Sequence, residues 1–368
     1  MTTPPRTVHV ALGERSYDIH IAAGALDRAG ALLRPHLRGK VLVVADATVA
    51  RLHGGRLTAA LAAAGITATV ATFPAGEPSK TVATAETMWR ACAEARIGRD
   101  DAVIGFGGGV SGDLAGFVAA CWMRGVAFAQ IPTTLLAMVD SSVGGKTGVN
   151  SAAGKNLVGA FKQPVAVVID PALVASMDRR EYRAGLAEVL KYGIINDPAF
   201  LAWQEAHAEA LEAGEPAAVA HAVAESCRIK AWYVGEDETE QGVRAHLNYG
   251  HTFGHALERH TGYRTYLHGE AVGIGMRMAA VLAGRLGLLD DDGLARRQDA
   301  LLARYRLPAE HAGSPTTVPA LVAACGLDKK VAGGRMRFVL PRRTGAVETV
   351  AVDDAEAVAA AFAAAIRA

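Results

Sequence analysis

The chain has 368 residues, more than one hydrophobic core usually serves, so two domains are expected. Its 38 Lys+Arg against 37 Asp+Glu give a formal net charge of +1, which lacks the basic footprint of a nucleic-acid partner and makes any cationic site local. Cys92, Cys121, Cys227 and Cys325 stand apart without a CxxC pair and read as buried thiols in a reducing compartment. The N-terminal Met1-Thr-Thr-Pro-Pro-Arg6 lacks the basic and apolar regions of a secretion signal. The longest apolar stretch, 355–366, contains Glu356 and falls short of the about 20 residues a bilayer requires. A cytoplasmic protein without membrane contact is expected, the last stretch being a C-terminal helix on a core.

Residues 7–11 and 17–21 alternate around Gly13-Glu-Arg-Ser16 and read as a β-hairpin. Residues 40–46 read as a buried strand, 57–64 as an Ala-rich helix, 67–73 as a strand and 81–95 as a helix. A strand at 101–106 runs into glycines, a helix follows at 112–123, and 128–132 and 165–170 are further short strands. This alternation predicts a doubly wound, mainly parallel sheet. After about residue 178 helical periods take over, at 179–193, 198–211, 216–233, 246–260, 269–286 and 293–304. One late strand, Met336-Arg-Phe-Val-Leu-Pro341, is the exception. The expected architecture is an α/β Rossmann-like N-terminal domain, 1–178, followed by an all-α metal-binding domain, 179–368. No repeat or low-complexity tract interrupts it.

Gly107-Gly-Gly109-Val-Ser-Gly112 satisfies G-x-G-x-x-G between a strand and a helix, where glycines let the backbone approach a pyrophosphate. By itself the match is weak. It lies outside the first βαβ unit, and no acidic residue follows about 20 positions on. A tight strand-to-helix turn explains it about as well. Gly144-Gly-Lys146-Thr147 is not a P-loop, because Asp140 stands where the first glycine is required. It can still present Lys146 to a phosphate, as can the loop Gly154-Lys155-Asn156.

Glu188 and Lys191 share a helix face. Such pairs are ordinarily solvated. Here Leu186, Val189, Leu190 and Ile194 pull the segment inward, where a carboxylate needs a partner. His251 and His255 lie at i, i+4 on one face, and His260 falls on the opposite, exposed face. With His268 of His268-Gly-Glu270, Glu188 and His251 make one carboxylate and two imidazoles, a set that catalytic zinc accepts with its fourth position open. Neither HExxH nor GxSxG occurs, which speaks against a metalloprotease and a serine hydrolase. Cationic residues close to these stretches suggest a metal-assisted enzyme acting on a small anion.

Read together, the segments resemble the 3-dehydroquinate synthase family of sugar phosphate cyclases over nearly the whole chain. The resemblance rests on Gly13-Glu-Arg-Ser-Tyr17, Gly76-Glu-Pro-Ser-Lys80, Gly107-Gly-Gly-Val-Ser-Gly-Asp113 and Arg124-Gly-Val126. It continues through Pro132-Thr-Thr134, Asp140-Ser-Ser-Val-Gly-Gly-Lys146, Gly154-Lys-Asn156 and Gly185-Leu-Ala-Glu188-Val-Leu-Lys191. Arg244, Asn248-Tyr-Gly-His251-Thr-Phe-Gly-His255, His268-Gly-Glu270 and Asp328-Lys329-Lys330 complete it. Ser111, where the family often has Val, and Met177-Asp178, in place of a more usual Leu-Pro, depart from it without touching an expected catalytic group.

The resemblance implies a dehydroquinate synthase-like fold, with the active site between an NAD-binding and a helical domain. It implies a metal held by Glu188, His251 and His268, zinc first and cobalt as the alternative. Asp46, Glu77, Lys80, Gly108, Gly109, Val110, Gly112, Asp113, Thr133, Thr134 and Lys155 would contact NAD. Lys146, Asn156, His255 and Lys329 or Lys330 would hold a phosphate, with Arg124 reaching across a homodimer interface. Lys230, Arg244 and Asn248 would meet a carboxylate, and Asp140 and Lys191 the substrate hydroxyls. The implied substrate is 3-deoxy-D-arabino-heptulosonate 7-phosphate, a sugar acid phosphate anionic at both ends. The implied reaction is a lyase reaction in which NAD is reduced and regenerated in place. An aminodehydroquinate synthase and an NAD- and metal-dependent polyol dehydrogenase of the same architecture are the alternatives. Cyclases whose substrates lack the carboxylate fit Lys230, Arg244 and Asn248 less well.

Overall fold

The structure, a computed structural model, describes residues 4–290, 293–313, 317–326 and 336–367. It divides into two compact units, Met1–Met177 with Val219–Thr239, and Asp178–Ala218 with Glu240–Ala368. Among the described residues no helix is long and apolar enough to cross a membrane.

The first unit is built on β1 (Arg6–Val10), β2 (Tyr17–Ile21), β3 (Val41–Asp46), β4 (Ala68–Phe73), β5 (Ala102–Gly107) and β6 (Ala127–Pro132). A hairpin, β7 (Lys146–Ser151) with β8 (Gly154–Phe161), precedes β9 (Ala166–Ile169). The main sheet has the order β1-β2-β9-β6-β5-β3-β4. Every neighbouring pair is parallel except β1 with β2. The helices are the short α1 (Ala29–Leu33), then α2 (Ala47–Ala63), α3 (Val82–Glu94) and α4 (Gly109–Cys121). Strands β3, β5, β6 and β9 are apolar throughout most of their length because helices or loops cover both faces of a parallel sheet. Leu42, Val44, Val103 and Phe128 of the sheet pack with Met88, Leu114 and Val118 of α3 and α4 in one core.

The chain leaves β3 for β4 on one side and returns to β5 on the other. That reversal is a topological switch point, where open α/β sheets bind ligands beyond the carboxyl ends of their strands. Asp46 ends β3 and Gly107 ends β5, so both stand at this crevice.

The second unit holds α5 (Arg179–Ile195), α6 (Pro198–Ala206), α7 (Ala208–Ala213) and the start of α8 (Pro216–Glu236), whose residues from Val219 on belong to the first unit. It continues with α9 (His251–His260), α10 (His268–Arg285), α11 (Leu294–Arg304), α12 (Val318–Gly326) and α13 (Ala355–Ala363). Strand pairs accompany these helices. The late strand, here β11 (Met336–Arg343) after β10 (His311–Ala312), turns at Gly345 and pairs antiparallel with β12 (Ala346–Val352). Strand β10 pairs in parallel with β13 (Ile366–Arg367).

Helix α5 is capped by Asp178, whose carboxylate accepts from the Arg180 and Glu181 amides. From Ala184 to Ile195 every residue of α5 is buried, which is why its polar residues need partners inside the unit.

Candidate metal and cofactor centre

Glu188 and Lys191 sit in the buried length of α5, at 0% and 1% exposure, and form an i, i+3 ion pair. Neither Glu188 oxygen accepts a hydrogen bond of good geometry. A buried carboxylate in that condition is costly unless another positive group completes it. Two imidazoles stand around it. His251 opens α9 behind Gly250, which adopts φ +80°, and its Nε2 lies 3.6 Å from Glu188 Oε1. His268 opens α10, and its Nε2 lies 3.9 Å from the same oxygen. The His251 and His268 rings are 5.2 Å apart between centroids.

One ligand atom each from Glu188, His251 and His268 falls within 4.8 Å of the others. One carboxylate and two imidazoles at that separation fit a divalent ion with an open position for water or substrate. The residues present therefore suit the group implied by the sequence.

The surroundings fix these side chains. His251 Nδ1 lies 3.1 Å from the Tyr249 carbonyl oxygen, and the Tyr249 hydroxyl lies 2.6 Å from Gln298 Oε1. Glu270 of the His268-Gly-Glu270 motif accepts from the Leu267 amide at 2.9 Å and from Arg180 Nε and Nη2, at 2.7 and 2.8 Å. The start of α10 is thereby tied to the start of α5. His255 lies one turn beyond His251, its ring 6.0 Å from that of His268. Arg244 is buried at 1% exposure, and Asn248 donates from Nδ2 to Glu240 Oε1.

In the first unit, Gly108 is the N-cap of α4 and Gly109 its first residue, so the helix begins with amides that carry no side chain. Gly107 adopts φ +148°, and a Cβ there would lie 2.3 Å from Ser111 Oγ and 3.1 Å from Asp46 Oδ2. Gly107 is thus required by the packing of the turn itself, and the turn sets the positive end of a 13-residue helix at the crevice, an end that fits a pyrophosphate. Val110 and Gly112 belong to the same first turn, and the Thr133 amide bonds to Gly107 O at 2.9 Å. Thr134 accepts from the Ala137 amide, and Asp46 caps α2 by accepting from Thr48 and Val49.

Lys80, 4% exposed, is held by Asp113 and by Asn156 Oδ1, the latter at 2.6 Å. Burial pushes the Asp113 carboxyl upward, and the Lys80 ammonium opposes that push. Glu77 accepts from Asn150 Nδ2 at 2.7 Å, and the Asn150 amide bonds to Lys80 O at 2.8 Å. The 77–80 turn is in this way stitched to the β7–β8 hairpin, which carries Lys146 and Lys155. Lys230 donates to Asp140, 2.7 Å from Oδ1, and Arg124 is exposed with φ +65°. Lys329 and Lys330 lie outside the described residues.

Sequence reasoning missed Glu258, Glu240 and Asn150. Glu258 follows His251 by seven residues and His255 by three, so helical periodicity places it on their face. Asn150 carries no such signal, because its partners Glu77 and Lys80 are distant in sequence. A cavity of about 650 Å³ lined by Arg6 and Trp232 lies in the first unit, and one of about 610 Å³ in the second unit is lined by Arg306 and by the Arg180–Glu270 pair.

The sequence profile of the 3-dehydroquinate synthase N-terminal family matches residues 70–184, and that of the 3-dehydroquinate synthase C-terminal family matches 185–331. A 3-dehydroquinate synthase of Halorhodospira halophila is 52% identical over 345 residues, covering 92% of this chain and 94% of that protein. One from Rhodospirillum rubrum is 52% identical over 349 residues, covering 91% and 89%. Among solved structures, a 2-epi-5-epi-valiolone synthase from Streptomyces hygroscopicus subsp. jinggangensis, with NAD+ and Zn2+ bound, superposes with a TM-score of 0.86 at 30% identity. That match covers 96% of this chain and 98% of the other. A 2-deoxy-scyllo-inosose synthase shares the fold, with a TM-score of 0.89 at 22% identity over 97% and 99% of the two chains.

Proposed function

The chain belongs to the 3-dehydroquinate synthase family, and from that premise we propose the following reading of its site. It is a lyase that converts 3-deoxy-D-arabino-heptulosonate 7-phosphate into 3-dehydroquinate and phosphate, a step of the shikimate pathway toward aromatic amino acids. The observation that carries the reading is the buried Glu188 carboxylate with His251 and His268 turned toward one of its oxygens. When bound, NAD would supply a reversible hydride acceptor for a substrate carbinol, and a divalent ion held by Glu188, His251 and His268 would supply Lewis acidity toward the hydroxyl there. Zinc is the ion we assign, since two imidazoles and a carboxylate suit it, and cobalt accepts the same donors.

The chain's own residues bind and orient. The planar fork of the Arg244 guanidinium matches a carboxylate, with Lys230 and Asn248 assigned to the same group. The Lys230–Asp140 and Lys191–Glu188 pairs hold each ammonium in a fixed place, so that Asp140 and Lys191 can meet substrate hydroxyls without reorganising. Lys146, Asn156, His255 and Lys329 or Lys330 are assigned to the phosphate, with Arg124 contributed by a second copy. The first turn of α4, with Asp46, Glu77, Lys80, Asp113, Thr133, Thr134 and Lys155, is assigned to NAD. The 1–178 and 179–368 division is retained as a functional one, and a cytoplasmic homodimer is part of the same reading. Exposed Met123, Leu157, Val158 and Phe161 of the first unit offer apolar surface for a second copy.

The test is turnover of the heptulosonate phosphate with NAD and Zn2+ present, following phosphate, dehydroquinate and NADH absorbance together. One phosphate per dehydroquinate with no net NADH is expected. NADH that accumulates with product would replace the lyase by a dehydrogenase.

A further inference from the structure

His268 has two ring nitrogens, and the fold gives each a different neighbour. Nε2 lies 3.9 Å from Glu188 Oε1, while Nδ1 lies 3.4 Å from Glu258 Oε2. Glu258 is on α9 and only 4% exposed, so its carboxylate was taken out of water to stand there. His251 has the same arrangement, with Nδ1 on the Tyr249 carbonyl and Nε2 toward Glu188. Neutral imidazole carries one N–H. An acceptor at Nδ1 holds the proton on that nitrogen and leaves the Nε2 lone pair for a ligand.

Resting on the reading that Glu188, His251 and His268 hold one divalent ion, we propose that Glu258 is a positioning residue for it. Its carboxylate fixes the tautomer and ring angle of His268. It also adds a negative charge near a cation whose carboxylate ligand, Glu188, is already paired with Lys191. Helix α9 thus supplies one ligand, His251, and the buttress for the ligand on α10.

His255, Glu258 and His268 also bring ligand atoms within 4.8 Å of one another, the spacing of a second ion. The two groups share His268, whose Nδ1 faces Glu258 and whose Nε2 faces Glu188, so with Glu258 as the buttress of that ring one ion per chain is expected.

The experiment strips the protein with a chelator and titrates it with Co2+ against a chromophoric competitor, recording the Co2+ absorption bands. Wild type is expected to bind one ion per chain. Glu258→Ala is expected to bind it about 10–100-fold more weakly, with a changed Co2+ spectrum. Glu258→Gln, isosteric and still an acceptor, should lie between the two; it carries the test if the alanine variant does not fold. Wild-type affinity and spectrum in both variants would overturn the role of Glu258 and leave the metal reading standing. Two ions per chain, with one lost in Glu258→Gln, would overturn it by making Glu258 a ligand. Unaltered Co2+ binding by His268→Ala would overturn the metal reading and this inference with it.

Discussion

Burial pushes the Cys227 thiol up to about 12 and the Cys92 thiol to about 11, and the Cys227 Sγ also donates to the Met138 carbonyl at 3.3 Å. The thiolate is the nucleophile, so neither side chain is reactive near neutral pH. Cys325 is buried as well, whereas Cys121 is exposed. Mass spectrometry after iodoacetamide treatment of the native protein is expected to find Cys121 labelled and the other three unlabelled until denaturant is added. Fast native labelling of Cys227 would contradict the packing around it. At this scale the sequence was legible where residue type announces chemistry. Glu188, His251 and His268 could be selected because a carboxylate among leucines and paired histidines are unusual. Glu258 shares the helix face of His251 and His255 by spacing alone, which is a weak signal since a glutamate on a helix ordinarily faces water. Its meaning comes from His268, which another helix brings beside it.

Three helices meet closely enough to bring Glu188, His251 and His268 together because glycines stand at their crossings. A Cβ on Gly269, next to His268, would lie 1.9 Å from the Ala184 carbonyl oxygen on α5. A Cβ on Gly275 would lie 2.1 Å from the Gly250 carbonyl oxygen, just before α9. These are backbone atoms that no rotamer change can move aside. Gly269→Ala is therefore expected to cost about 1–3 kcal/mol of stability by overpacking, lowering Tm. It should also weaken Co2+ binding, because α10 must lift His268 away from Glu188. Unchanged Tm and affinity would show the α5–α10 approach to be looser than this. Glycines also explain where element boundaries escaped sequence reading. The period at 246–260 ran a helix through Gly250, whose left-handed conformation splits it into a 3-10 turn, Val243–Asn248, and α9. Gly54 and Gly55 hid the first half of α2, which begins at Ala47 behind its Asp46 cap. Strands β7 and β8 are rich in Gly, Lys and Asn, residues that favour loops, and only their mutual pairing makes them strands.

Across the whole chain, the change from strand–helix alternation to helical periods near residue 178 was visible because period follows burial pattern, residue by residue. Less visible was that Val219–Thr239 packs with the first unit, since membership depends on long-range contacts that no local period encodes. This division makes a prediction about how each ligand acts. A ligand that binds only the folded form suppresses the openings that expose amides where it is held. Divalent ion added to stripped protein should therefore slow hydrogen exchange in 185–195, 249–258 and 267–272, the segments of α5, α9 and α10 that carry Glu188, His251, Glu258 and His268. NAD should instead slow it at 77–80 and 106–113, where the Lys80 cluster and the first turn of α4 lie. Exchange followed by mass spectrometry of peptides reads both patterns from one preparation. Metal-dependent protection that spares 185–195 would remove Glu188 from the ion. Protection by NAD that leaves 106–113 unchanged would take the nucleotide away from the switch point between β3 and β5.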